Sequence, residues 1–72
     1  MPDNAIMGAR YRDTTFEQTF IITNVKADTD KDIAEDEEIT VVMDYEDVAD
    51  PLTIDLATFK TTDDIELVEV PA

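Results

Sequence analysis

The sequence predicts a mainly β domain of five short strands, on three observations. Residues 39–59 hold two runs of strict alternation across a short polar turn. In the first, Ile39, Val41, Met43 and Tyr45 share one face, with Thr40, Asp44 and Glu46 on the other. In the second, Leu52, Ile54 and Leu56 alternate with Thr53 and Asp55. Period-two alternation marks a half-buried antiparallel strand. Residues 19–25 are β-branched and aromatic, the composition of another strand. A hairpin alone is marginal in water, so the remaining apolar runs must complete a sheet around this one. Phe20, Ile22, Val41, Met43, Ile54 and Leu56 are the expected core.

The elements follow in chain order. Residues 1–7 form a short lead-in from which Ile6 and Met7 can fold back onto the core. Gly8, the only glycine, belongs where the backbone needs a positive φ or a close approach. Arg10, Tyr11 and Arg12 alternate as a first strand, with both guanidinium groups on one face and Tyr11 on the other. The two arginines can clamp a carboxylate or phosphate, but among so many acids such groups more often pair with neighbouring Asp and Glu side chains. Asp13–Gln18 reads as a connecting loop. In the second strand Phe20 and Ile22 share one face and Ile21, Thr23 and Val25 the other, which fits a central strand or a bulge that brings Val25 to the core.

Residues 28–38 carry seven carboxylates and one lysine. Asp28, Asp30 and Asp32 have the one-three-five spacing that opens a calcium loop and are weak metal candidates. Position six is Ile33 where a glycine is wanted, and position twelve is Ile39 where a bidentate glutamate is wanted. A long, solvated acidic loop is the stronger expectation, with a helical turn through Ile33 and Ala34. The hairpin turn is Glu46–Asp50, and Pro51 opens the return strand. Residues 57–60 are too few for an α-helix and suit a single 3₁₀ turn that tucks Phe59 inward. Ile65–Val70 is the last strand. Its apolar phase changes between Leu67 and Val68, as at a bend or an edge, and Pro71 ends the ladder.

Composition bounds the rest. The 72 residues suffice for one domain, with a core spanning about 8–70, and a chain this short buries only roughly 60% of its unfolded surface. Without cysteine or histidine it has no disulfide, no thiolate or imidazole metal site and no triad built on either residue. Any enzyme here would use Asp and Glu as acid and base, and none is singled out, so neither catalysis nor a cofactor is expected. No apolar run is long enough for a signal peptide or a membrane span, which makes the cytoplasm the default address. Nineteen Asp and Glu against five Lys and Arg give a net charge of −14, the wrong sign for direct binding to nucleic acid or an anionic membrane. Asp outnumbers Glu and lysine has fallen to three. Short hydrated carboxylates with few long ammonium stems suit a cytoplasm of molar salt. Imitation of the phosphate backbone by a DNA-mimic inhibitor is the rival explanation.

Five short strands, a long loop in the first half, a tight hairpin and a one-turn element before the last strand resemble a small SH3-like barrel of the Tudor-like kind. The resemblance rests on Gly8, Tyr11 and Asp13, on Phe20, Ile22 and Val25, and on Ile54, Leu56 and Phe59, over residues 8–70. These are packing and turn positions, so they imply a fold and no activity. The acidic segment 28–38 and the lack of glycine in the hairpin turn depart from the pattern. An OB-like barrel is the nearest alternative, without its aromatic and basic nucleic-acid face. Tudor-like domains hold methylated lysine or arginine in an aromatic cage, for which the resemblance nominates Tyr11, Tyr45, Asp44 and Asp47. With only five aromatics in the chain, the core has the first claim on those rings. Together with Arg10 and Arg12 these are the candidate partner-binding residues. The expectation is a non-catalytic binding or adaptor module whose partner is another protein; a DNA mimic and a weak calcium-binding module are the alternatives.

Overall fold

A computed structural model of the protein describes residues 4–71. They form one antiparallel sheet of five strands, β1 (Arg10–Asp13), β2 (Gln18–Ala27), β3 (Ile39–Tyr45), β4 (Leu52–Asp55) and β5 (Ile65–Glu69), in the order β4-β3-β2-β1-β5. The expected mainly β architecture is therefore present. β4 and β5 are the two edges and do not pair with each other, so the sheet is not closed into a barrel.

Alternation sets which face is buried. Tyr11, Phe20, Ile22, Val41, Met43 and Tyr45 line the inner face and are buried, with Ala9, Leu56, Phe59 and Ile65 completing the core. Ile54 is partly buried against it. Phe20 lies between two phenol rings, stacked on Tyr11 at 5.7 Å and on Tyr45 at 4.8 Å between centroids, and Phe59 meets Tyr11 edge-on at 5.3 Å. Such pairs add about 0.5–1.5 kcal/mol each to the burial of the rings.

β2 is both central and bulged. Its register against β3 shifts between Ile22 and Asn24, which turns Val25 inward opposite Val41. A second irregularity separates Arg10↔Glu69 from Tyr11↔Leu67, so Val68 is the extra residue of β5. That explains the change of apolar phase in an edge strand. Gly8 has φ +83°, and a Cβ there would lie 3.5 Å from the Pro71 side chain. The lead-in packs as expected at Ile6, which lies partly buried against the core, whereas Met7 is exposed. Tyr11 Oη accepts from Ile6 N at 3.2 Å and donates to Asn4 O at 3.1 Å.

Two local elements differ from expectation. Before β5 stands a six-residue α-helix, α1 (Leu56–Thr61), where a 3₁₀ turn was expected. Asp55 caps it, accepting from Thr58 N at 3.0 Å, and Leu56 and Phe59, three apart, bury its inner side. Leu56 therefore leaves the alternation that it continues in the sequence. In the acidic loop the 3₁₀ turn lies at Asp36–Glu38 instead of a helical turn at Ile33 and Ala34. Glu38 holds that turn from within, its Oε1 accepting from Glu35 N at 3.2 Å and from Lys31 Nζ at 3.1 Å.

Candidate partner-binding surface

The candidate residues divide between the two faces of the sheet. Tyr11 and Tyr45 are core residues, Tyr11 with no exposed surface at all. Both rings pack on Phe20, so the aromatic cage implied by the resemblance does not form from them. Tyr45 Oη instead donates to Asp13 Oδ2 at 2.7 Å in the interior. Burial first, then that hydrogen bond and the Asp13 charge, hold the Tyr45 phenol well above its ordinary value. Burial likewise raises Tyr11, partly offset by its bond from Ile6 N.

Arg10, Arg12 and Asp44 all lie exposed on the outer face. The register aligns Glu69, Arg10, Ile21 and Asp44 in one row across β5, β1, β2 and β3, and Glu66, Arg12 and Thr19 in the next. Each β1 cation thus faces a carboxylate across β5, with Ile21 or Thr19 on its β2 side. The contact that forms is Arg10 Nη1 to Glu46 Oε1 at 4.0 Å between exposed groups, a pair of little energetic weight. Asp47 lies in the exposed β3–β4 turn. Beside Arg10 is a shallow groove of about 140 Å³ lined by Gly8, Arg10, Ile21, Glu69, Val70 and Pro71. At that size it is far below the roughly 300–1,000 Å³ of sites that enclose small molecules.

The acidic loop is pinned at its base. Asp28 N donates to Glu38 O at 2.7 Å, and Thr40 Oγ1 donates to Asp28 Oδ2. Lys31 pairs with Glu38 at 3.1 Å and Lys60 of α1 with Asp36 at 3.0 Å. The Lys31 bond is the main reason the Glu38 carboxyl lies below its ordinary value. Asp28, Asp30 and Asp32 are all exposed, and among the described residues no three carboxylates converge in a way that could hold a metal ion.

Asp13, whose Asp-Thr-Thr context reads as a loop, is the last residue of β1. It is in phase with Tyr11, and alternation alone points it inward. Its Oδ1 accepts from Thr15 N at 2.9 Å and Phe16 N at 3.4 Å, so this buried carboxylate is occupied in holding the β1–β2 turn. Among the described residues no helix is long and apolar enough to cross a membrane. No protein-family model, no curated protein and no solved structure matches the chain.

Proposed function

We propose that the chain is a small SH3-like binding or adaptor module of a salt-adapted cytoplasm, that it carries out no chemistry, and that its partner is another protein. The observation that carries the fold part is the element order: a long loop between β2 and β3, a hairpin, the short helix α1, then a last strand that returns to β1. The buried carboxylate Asp13 is consumed by structural hydrogen bonds and the groove is shallow, which favours binding over catalysis. With Tyr11 and Tyr45 committed to the core, recognition falls to main-chain groups, exposed apolar side chains and charge.

The salt-adapted part rests on self-repulsion. Spreading −14 over a globule with a radius of gyration of 11.9 Å gives a Coulomb self-energy of roughly 20 kcal/mol at about 0.01 M salt and roughly 5 at about 1 M. The unfolded chain bears much of this too, yet a difference of several kcal/mol rivals the whole stability of a small domain. Thermal melting in KCl from about 0.01 to about 3 M is the test. A salt-adapted module is partly unfolded at the low end and gains stability into molar salt. A protein fully folded and indifferent to salt favours the DNA-mimic reading, in which binding to a nucleic-acid-binding target weakens steeply as salt rises. Immobilised chain exposed to lysate of the source cell at native ionic strength tests the partner: retention of no protein ends the binding-module reading.

A further inference from the structure

Among the described residues β5 is an edge strand that pairs only with β1. The phase of the ladder shows which of its main-chain groups are free. Thr14 N donates to Asp64 O at 2.8 Å, and antiparallel pairs alternate between hydrogen-bonded and non-bonded positions. Along the register Asp13↔Ile65, Arg12↔Glu66, Tyr11↔Leu67, Ile65 and Leu67 therefore occupy non-bonded positions, and their N–H and C=O groups point away from β1. The opposite side of β1 has the matching phase: Ile22 N donates to Ala9 O, so Tyr11 and Asp13 turn their main-chain groups toward β2.

The side chains along this edge are equally specific. Leu67 stands opposite the buried Tyr11 yet is 47% exposed, because among the described residues no strand lies beyond it. The extra residue Val68 leaves Glu66 and Glu69 on the same outer face, opposite Arg12 and Arg10. Neither glutamate takes part in an ion pair among the described residues.

We infer that β5 is the docking edge of this module and that it accepts, by strand addition, an extended peptide segment in which apolar residues alternate with lysine or arginine. The inference rests on the binding-module reading. Main-chain bonds to Ile65 and Leu67 supply affinity, apolar side chains of the segment cover Leu67, and its cations reach Glu66 and Glu69. Charge selects the occupant. A second copy would bring its own Glu66 and Glu69, within a net charge of −14, against the first, whereas a cationic strand is complementary. The β4 edge is the poorer acceptor, since its four residues lie directly between Pro51 and α1.

The probe is a hexapeptide alternating lysine with valine and blocked at both ends. It is added to the full chain at the lowest KCl concentration at which the melt is that of a fully folded protein. At saturation, amide exchange at Ile65 and Leu67 slows by at least about tenfold, and the corresponding glutamate–valine peptide has no effect. Replacing the two exposed carboxylates together, Glu66→Gln with Glu69→Gln, weakens binding about tenfold without lowering the melting temperature. Unchanged exchange at both amides overturns the inference, as does equal binding of the acidic peptide. Protection that falls on β4 or residues 28–38 overturns the β5 assignment and leaves the binding-module reading standing. Concentration-dependent sedimentation with Leu67 protected in the absence of peptide gives the edge to a second copy and overturns the cationic partner.

Discussion

Tyr45 Oη and Asp13 Oδ2, thirty-two residues apart in the chain, are joined by a buried hydrogen bond of 2.7 Å. The bond fastens the end of β3 to the β1–β2 turn, because the other oxygen of Asp13 holds the amides of Thr15 and Phe16. Tyr45→Phe removes one partner from a buried carboxylate and should cost about 1–3 kcal/mol. Asp13→Ala orphans the phenol and two turn amides together and should cost at least as much. Denaturant unfolding of both variants and of the double variant checks this. A coupling energy near zero contradicts the bond, since contacting pairs couple by about 0.5–3 kcal/mol.

The same phenols govern the alkaline limit. Tyr45 and Tyr11 both lie above the ordinary 10.0 in the folded state, chiefly through burial. A raised value means that the fold holds the protonated form more tightly than the unfolded chain does. That contribution is whole below the unfolded value and is lost as pH rises through the folded ones. Stability should thus be insensitive to these groups up to about pH 10 and decline above it. Melting temperature against pH, read with tyrosinate absorbance, checks the order: the chain should unfold as the tyrosinates appear, and Tyr45→Phe should shrink the alkaline loss.

Much of this fold is legible locally and part of it is not. Arg10, Tyr11 and Arg12 sort onto two faces by parity alone, as do Val41, Met43 and Tyr45, because a strand's side chains obey a period of two whatever its neighbours do. Leu56 misleads for the same reason. It prolongs the alternation of Leu52 and Ile54 by one step, while the cap that turns the chain into α1 is carried by Asp55 and Thr58, and six residues are too few to display a helical period. The groove beside Arg10 has no local signal at all. It exists because residue 10 is brought against residue 69, a pairing that no window of sequence contains. The cage failed on burial: two tyrosines were available to a ligand only if the core could spare them, and Phe20 needs both.

At Gly8 the conformation, and not the space, limits substitution. A Cβ would meet Pro71 at 3.5 Å, an ordinary contact, but φ is +83°. Gly8→Ala should therefore cost about 1–2 kcal/mol, and Gly8→Asn should cost less, since asparagine tolerates positive φ. Equal losses in urea unfolding would point to the Pro71 contact instead.

Calcium should find no dedicated site in residues 28–38. Asp28 is bound to Thr40, and Glu38 and Asp36 are engaged by Lys31 and Lys60, which leaves Asp30 and Asp32 without a converging third carboxylate among the described residues. Calorimetry at moderate salt should show only weak association that more salt suppresses. A stoichiometric site of about micromolar affinity or tighter, within the range of calcium sensors, would make this loop the functional centre.

The partnership of β1 with β5 also bears on how the protein assembles. Residues 14–17, 28–38 and 46–51 close their hairpins locally, but Arg10 meets Glu69 only after nearly the whole chain has been ordered between them. Long-range pairing of this kind carries the larger closure entropy and is made late. Changes in β5 should accordingly speed unfolding and leave the folding rate almost untouched, whereas changes in β2 or β3 should slow folding, a contrast visible in the two arms of a chevron plot. Until β5 arrives, β1 is a naked edge on a nearly finished sheet, the state in which small β proteins are most prone to stick to one another. In dilute salt the acidic coat should then act in time as well as in space, since chains that each carry −14 repel one another until the last strand is in place, a protection that molar salt screens away.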